Sequence, residues 1–346
     1  MRKPRVVVIG YGFAGRCFHS YLIGLVPDLV LHGVASRSPE TRQKIVAERR
    51  CRAYESFEQA IADPEVDLVV LATPNHTHAE LAVRAMRAGK HVVTDKVMCL
   101  TVRDCDRMIA AAGKAGVMLN VFQNRRWDGD YLTVRKLIAE GRLGDVRWIE
   151  VAWQGFGPWG GWRGQAAMGG GRFYDLGAHL VDQLVMLCPE PIRSVYCRMH
   201  HDFPNMDIES HAMLVVEFES GRTGVCDTSG LTALSKPRFH VCGTAGTFMK
   251  YGLDPQEAAM IRGEIDAARE DERQYGRLHD GKAETAVPTV AGRWRCYYEN
   301  IAAVLTQGAA PAVKLSDVRR AIAVLDAGMK SARTGKVVKV NVPAAG

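Results

Sequence analysis

Residues 169–182 read Gly169-Gly170-Gly171-Arg172-Phe173-Tyr174-Asp175-Leu176-Gly177-Ala178-His179-Leu180-Val181-Asp182. Leu176, Leu180, Leu184 and Leu187 keep helical spacing, so Asp175 and His179 at i, i+4, and Asp182 three residues beyond the histidine, share one face. Three titratable groups along one helix edge can do acid–base work. A histidine titrates near neutral pH and can take a proton from an alcohol, while a carboxylate one turn away holds its ring and stabilises its charged form. The same residues also suit an aspartate serving the helix dipole with a hydrogen-bonded histidine behind it. A second candidate is Lys96 in Thr94-Asp95-Lys96-Val97, at the end of a strand-like run. Projecting towards a cleft, its ammonium could bond a substrate hydroxyl and lower the cost of removing that proton. A surface lysine is the plain alternative.

Two further stretches point to a bound nucleotide. Gly10-Tyr11-Gly12-Phe13-Ala14-Gly15 stands directly behind the apolar run Val6-Val7-Val8-Ile9 and ahead of a helical pattern over 14–25. In that strand-to-helix context the glycines read as a dinucleotide fingerprint. Gly10 permits the tight turn, Gly12 lets backbone approach a pyrophosphate, and Gly15 lets helix and strand pack closely, so Phe13 and Ala14 lie in the same phosphate-facing turn. Ala72-Thr73-Pro74-Asn75-His76-Thr77-His78 follows another apolar run. There Thr73, Pro74, Asn75 and His78 are expected beside the dinucleotide, with Asn75 able to bond ribose or nicotinamide groups; helix capping by Thr77 or Asn75 is compatible with this. His76 and His78 have no third ligand placed by the sequence, so no metal site is expected.

These residues need a scaffold. Strands are expected at 5–9, 29–36, 67–72, 91–94 and 117–121, separated by helical stretches such as 77–88 and 101–115. Strands alternating with helices imply βαβ units and a parallel, doubly wound sheet, a Rossmann domain over residues 1–122. Beyond Phe122 a helix over 130–141 leads into strand-like runs at 146–154, 192–199, 211–219, 222–227 and 238–242. Strands without intervening helices imply an α+β domain over 123–346 with a large, mostly antiparallel open sheet. Helical stretches at 294–305 and 318–332 are expected to pack on it, and 264–282 to be an exposed charged loop. An open sheet face invites self-association, so a homo-oligomer, dimer or tetramer, is expected.

The 346 residues are 47% hydrophobic and 24% charged, which supports a sizeable core in about two domains. No apolar run approaches the roughly 18 residues of a membrane span, and Met1-Arg2-Lys3 precedes a strand-like stretch instead of a signal peptide, so the cytoplasm is the expected compartment. The nine cysteines form no CxxC pair and read as reduced thiols. The formal charge of +7 is scattered and accompanies no nucleic-acid-binding signature, which argues against a nucleic-acid partner.

Fingerprint, strand-end lysine and Asp-xxx-His-xx-Asp helix occur together and in this order. From Gly10 to Gly15, through Ala72-Thr73-Pro74-Asn75 and Lys96, to Gly170-Gly171, Asp175-Leu176-Gly177 and His179, the chain resembles the Gfo/Idh/MocA family of nicotinamide-dependent sugar and polyol oxidoreductases over nearly its whole length. Phe122-Gln123-Asn124-Arg125-Arg126-Trp127-Asp128 and Pro288-Thr289-Val290-Ala291-Gly292-Arg293 look like the branch of NADP-dependent inositol dehydrogenases. The resemblance implies that Lys96 takes the place of the lysine in the family's Glu-Lys-Pro motif. It likewise implies that Asp175 and His179 are catalytic and that Asp182 meets substrate hydroxyls. The motif here reads Asp95-Lys96-Val97, without the proline that would shape the backbone beside the lysine. Asn124, Arg126, Trp153 and Arg163 are expected in the substrate wall, because Asn and Arg bond hydroxyls and an indole face covers a sugar ring.

An NAD enzyme places Asp or Glu after its second strand, whereas this chain has Ala35-Ser36-Arg37-Ser38, and Ser36 with Arg37 suits a 2′-phosphate. NADP is therefore the expected cofactor, with NAD the alternative. The expected activity is hydride transfer between a secondary alcohol of a sugar or cyclitol and the nicotinamide. Reduction of another carbonyl, or dinucleotide sensing without turnover, are the alternatives.

Overall fold

The computed structural model describes residues 2–342, which divide into two compact units. The first contains the chain through Asn124 together with Met260–Glu264 and Trp294–Leu315; the second contains Arg125–Ala259, Ile265–Arg293 and the chain from Ser316.

In the first unit β1 (Arg5–Ile9), β2 (Val30–Ala35), β3 (Arg52–Tyr54), β4 (Leu68–Leu71), β5 (His91–Thr94) and β6 (Leu119–Val121) form one parallel sheet in the order β3-β2-β1-β4-β5-β6. Val6, Val7 and Val8 and all four residues of β4 are fully buried, as expected of strands covered on both faces. Strand order reverses between β1 and β4, so the residues just past them, Gly10 and Ala72, open at the switch point where ligands of such sheets bind. Helices Pro39–Arg49 and Val102–Ala115 start at side-chain caps, Ser38 Oγ accepting from the Thr41 N–H and Thr101 Oγ1 from the Asp104 N–H, each at 3.1 Å. The helical stretch behind the fingerprint is wound as a π-helix over Ala14–His19 and as an α-helix over Ser20–Gly24.

Helix Arg295–Gln307 belongs to this unit and not to the second domain, where the sequence had suggested it would pack. Its partners explain why. The Tyr298 hydroxyl lies 2.7 Å from His19 Nδ1, Tyr297 meets Phe122 edge-on at 4.9 Å and donates to Asn120 Oδ1 at 2.8 Å, and Trp294 just before it stacks on Phe18 at 5.6 Å. Periodicity identified the apolar face at 294, 297, 298 and 301, but a face does not name its partner.

In the second unit β7 (Val146–Gln154), β8 (Ile192–His200), β9 (His211–Phe218), β10 (Thr223–Ser229), β11 (Phe239–Gly243), β12 (Gly246–Lys250), β13 (Gly276–His279), β14 (Glu284–Val287) and β15 (Val338–Val342) form a sheet ordered β14-β13-β12-β11-β7-β10-β9-β8-β15. Every pairing is antiparallel except β7 with β10. Along β9, Ala212, Leu214, Val216 and Phe218 are buried while His211, Met213, Val215 and Glu217 are half-exposed, the alternation of a sheet with one face covered. Helix Ala178–Leu187 lies on β7 and β10, and its Leu180, Val181, Leu184 and Val185 are all fully buried. At about 1.5–3 kcal/mol per buried aliphatic side chain, this face fixes the rotation of the helix carrying His179. Gly224 makes the close approach possible, since a Cβ there would stand 2.5 Å from Leu184 Cδ2.

The stretch 264–282 is not simply an exposed loop. It contains β13, paired on both sides, and it is pinned by Lys250, whose buried ammonium donates to Glu270 at 2.7 Å and to the Tyr251 and Gln274 carbonyls at 2.8 Å. A lysine with three acceptors is fully satisfied.

Candidate active site

The three fingerprint glycines differ in what holds them. Gly10 has φ +100° and its missing Cβ would strike the Ala72 carbonyl oxygen; the missing Cβ of Gly15 would strike the carbonyl oxygen of Gly10. Both are demanded by the chain's own packing. At Gly12 a Cβ would meet nothing within 4 Å. Space kept open between two tightly packed glycines, at the start of a helix, fits a pyrophosphate approaching the backbone. Phe13 beside it is 47% exposed and meets Phe18 edge-on at 5.5 Å.

A pocket of about 620 Å³ runs from Gly10 along the ends of β2, β3 and β4 and is lined by, among others, Ser36, Arg37, Ser38, Glu55, Thr73 and Pro74. The structure thus brings together Gly10, Ser36, Arg37, Thr73 and Pro74 from three separate stretches of sequence. Asn75 is buried and opens a 3₁₀ turn. Thr77 does not cap the following helix with its side chain. Its hydroxyl bonds the Pro74 carbonyl and the Thr73 hydroxyl, each at 2.7 Å, and so closes the loop on itself.

His78 is not placed to touch a cofactor as the sequence suggested. Its ring is fully buried, with Nδ1 2.8 Å from the Val97 carbonyl oxygen and Nε2 2.9 Å from that of Thr73. Burial draws its pKa below the ordinary imidazole value, opposed by these carbonyls and by Asp95. The residue braces the loop after β4 against the segment that bears Lys96. Lys96 is half-buried, stands two residues past the end of β5 and is joined to Val97 by a cis peptide bond. Asp95 accepts the Lys96 backbone N–H at 2.8 Å, and its other oxygen lies 3.6 Å from His19 Nε2. Burial pushes the Asp95 carboxyl up, but His19, Lys96 and His78 outweigh it and hold the carboxyl down at about 2. With Tyr298 on its other nitrogen, His19 links the fingerprint helix to the segment of Lys96. Sequence reading missed this role, although His19 sits only four residues past Gly15.

In the second unit Asp175 lies in a π-helical turn, Phe173–Gly177, that runs directly into helix Ala178–Leu187. A single π turn inside a helix often accompanies a functional site, because it re-aims side chains. The carboxylate of Asp175 accepts from Arg163 Nε at 2.9 Å, joining two residues expected at the site. Gly170 and Gly171 make this corner possible. A Cβ on Gly170 would stand 2.5 Å from the Arg163 carbonyl oxygen, and Gly171, at φ +96°, leaves room for the carboxylate of Glu209. Glu209 accepts the Phe173 N–H at 2.5 Å and is buried, which raises its pKa. Nothing in the sequence around Glu209 advertised this contact.

His179 is 5% exposed and its ring stacks on Trp153 with centroids 6.2 Å apart. Trp153 in turn carries the guanidinium groups of Arg125 and Arg238 at 4.6 and 5.3 Å. Its ring therefore supports His179 before it can cover a sugar. Asp182 and Arg126 are both buried and hold each other through two hydrogen bonds of 2.8 and 2.7 Å, so neither is free to meet substrate hydroxyls as expected. Asn124, in the first unit, is 2% exposed. For metals, the described residues bring His32, Asp63 and Glu65 within 4.8 Å, yet Asp63 is already engaged by Tyr54 at 2.6 Å and Arg52 at 2.8 Å.

Comparison with known proteins agrees with this architecture. The family model described as "Oxidoreductase family, NAD-binding Rossmann fold" matches residues 4–123, and that of the "GFO/IDH/MocA C-terminal domain" matches residues 131–249. The uncharacterized oxidoreductase YdgJ of Escherichia coli is 34% identical, covering 95% of this chain and 96% of its own. The scyllo-inositol 2-dehydrogenase (NADP(+)) IolW of Bacillus subtilis is 30% identical, covering 96% of this chain and 95% of its own. The crystal structure of an NAD-binding protein from Listeria innocua superposes with a TM-score of 0.86 at 28% identity, covering 97% of each chain.

Proposed function

The chain belongs to the Gfo/Idh/MocA family of NAD-binding oxidoreductases, and from that premise we propose that it is an NADP-dependent dehydrogenase acting on a secondary alcohol of a sugar or cyclitol. The observation that carries this reading is the open space at Gly12 between two packed glycines, continuous in sequence with a pocket whose β2 end offers Ser36 and Arg37 where an NAD enzyme would offer a carboxylate. The likeness to IolW, named as an NADP(+)-dependent scyllo-inositol 2-dehydrogenase, supports the cyclitol and the 2′-phosphate.

Gly10, Gly12, Phe13, Ala14 and Gly15 would hold the pyrophosphate, Ser36 and Arg37 the adenosine ribose, and Thr73, Pro74 and Asn75 the nicotinamide side. When bound, the nicotinamide supplies a hydride acceptor at its C4. Lys96 donates a hydrogen bond to the alcohol oxygen and favours its alkoxide character, while His179 takes the hydroxyl proton. With that acceptor in place the carbinol carbon would give up its hydride and become a carbonyl, and the proton would stay on the His179 imidazole until solvent removes it. Asp175, fixed by Arg163, would position the histidine or the lysine, and Trp153 supports the histidine ring. Reduction of the ketone uses the same groups in reverse. The half-exposed alternate residues of β9 support self-association of the chain as a homo-oligomer, which sedimentation velocity would test.

A panel of inositols, aldoses and simple ketones, offered with NADP+, NAD+ or their reduced forms, tests the reading. Formation of reduced nicotinamide with a cyclitol or sugar is expected. Turnover of ketones alone would move the substrate to another carbonyl class, and no turnover across the panel would leave a dinucleotide-binding protein without catalysis.

A further inference from the structure

The pocket beside Gly10 carries charges of both signs along its outer wall. Arg37 follows β2, is exposed, and among the described residues pairs with no carboxylate. Arg42, in the first turns of helix Pro39–Arg49, folds back under the same loop. Its Nη1 donates to the carbonyl oxygens of Ser36 at 3.0 Å and Arg37 at 3.1 Å, and its Nη2 faces Glu55 Oε1 at 3.5 Å. Two carboxylates line the pocket, but they are not equivalent. Glu58 is matched by Arg84 at 2.7 Å, whereas the cation beside Glu55 is Arg42.

This arrangement gives Arg42 one fixed edge and one exchangeable edge. Nη1 is committed to the backbone and keeps the guanidinium at the loop, and the Nη2 edge faces whatever anion is nearest. The contact to Glu55 is long and the Glu55 side chain is 70% exposed, so the pair itself is weak and easily replaced. A phosphate monoester carries close to two negative charges and accepts charge-assisted hydrogen bonds from guanidinium groups, which a ribose hydroxyl cannot match.

We infer that Arg42 and Glu55 set the choice between a ribose 2′-phosphate and a 2′-hydroxyl: Arg42 supplies the phosphate with a second guanidinium beside Arg37, and Glu55 opposes that phosphate by competing for Arg42 and by like charge. The inference rests on the reading of the Ser36–Ser38 loop as the seat of the adenosine ribose.

Equilibrium binding of NADPH and NADH to the full chain, followed by nicotinamide fluorescence, separates the two. Arg42→Met is expected to weaken NADPH roughly tenfold or more while NADH stays within about twofold. Glu55→Gln, at an exposed position where folding is insensitive, is expected to tighten NADPH severalfold and leave NADH unchanged. If Arg42→Met fails to fold, Glu55→Gln decides alone. An unchanged ratio of the two dissociation constants in the variants that fold would overturn the inference. Failure of the unaltered chain to bind either dinucleotide, or an NADH preference that Arg37→Met leaves untouched, would instead remove the reading of the loop.

Discussion

The imidazole of His78 lies 2.8 Å from the carbonyl oxygen of Val97, one residue past Lys96, and holds the Thr73 carbonyl with its other nitrogen. A fully buried side chain that ties two strand-end loops should act on position, not on ligand contact. His78→Ala removes the ring between the buried Val97 carbonyl and the part-buried Thr73 carbonyl, of which a neutral imidazole satisfies one, and is expected to cost about 1–3 kcal/mol of stability. More tellingly, kcat should fall well beyond any change in NADPH affinity, because the lysine segment loses its brace while the glycine turn keeps its own packing. Steady-state kinetics and fluorescence titration of one preparation measure both; a large loss of NADPH affinity with kcat unchanged would return His78 to the cofactor wall.

Arg126 and Asp182 offer a second test, of stability. Both are buried, and desolvation of such a pair nearly cancels its attraction, but removing one partner leaves the other charge without compensation. Arg126→Met is therefore expected to destabilise by roughly 3 kcal/mol or more in urea unfolding. Arg126→Met with Asp182→Leu should recover part of that loss, and a double variant as unstable as the sum of the singles would show the pair to be uncoupled.

Asp95 gives a pH signature. Its folded pKa is depressed from 3.8 to about 2, so its contribution is fully present above pH 3.8 and is lost as pH falls towards 2. The size is on the order of 2 kcal/mol. Glu209, which burial raises, acts with the opposite sign over its own range, so the whole-protein curve mixes the two. The informative quantity is the slope of unfolding free energy between pH 4 and pH 2, about those pKa values: Asp95→Asn should flatten it relative to the unaltered chain. An identical slope would mean that His19 and Lys96 do not hold that carboxylate ionised.

How far the sequence speaks follows from the range of each interaction. β1, β5 and β7 have the bounds the pattern predicts, since a period-two or continuous apolar run is a local signal. β3, three residues long, and β13, with Arg277 and His279 exposed inside a charged stretch, carry almost no such signal and exist because neighbouring strands pair with them. The site divides in the same way. Gly10, Gly12 and Gly15 are legible because the strand, glycine turn and helix that announce them follow one another directly in sequence, even though Gly10 packs against the distant Ala72. Glu209 under Phe173 and Arg126 on Asp182 are separated by 36 and 56 residues, and no local pattern tells a paired buried charge from one that meets a ligand. The substrate role that the family resemblance implied for Asp182 meets the same obstacle, since its carboxylate is held by Arg126.

The central claim is that Lys96 and His179 serve one proton-coupled hydride transfer. Single-turnover rates of nicotinamide reduction by the best substrate of the panel, for Lys96→Met, His179→Asn and the double variant, test it most directly. Each single change is expected to slow the step by about two orders of magnitude or more, with NADPH affinity nearly intact. The double variant should be little slower than the worse single, because the two groups act as a unit. Rates near those of the unaltered chain in either single variant, or losses that simply multiply in the double, would contradict the account.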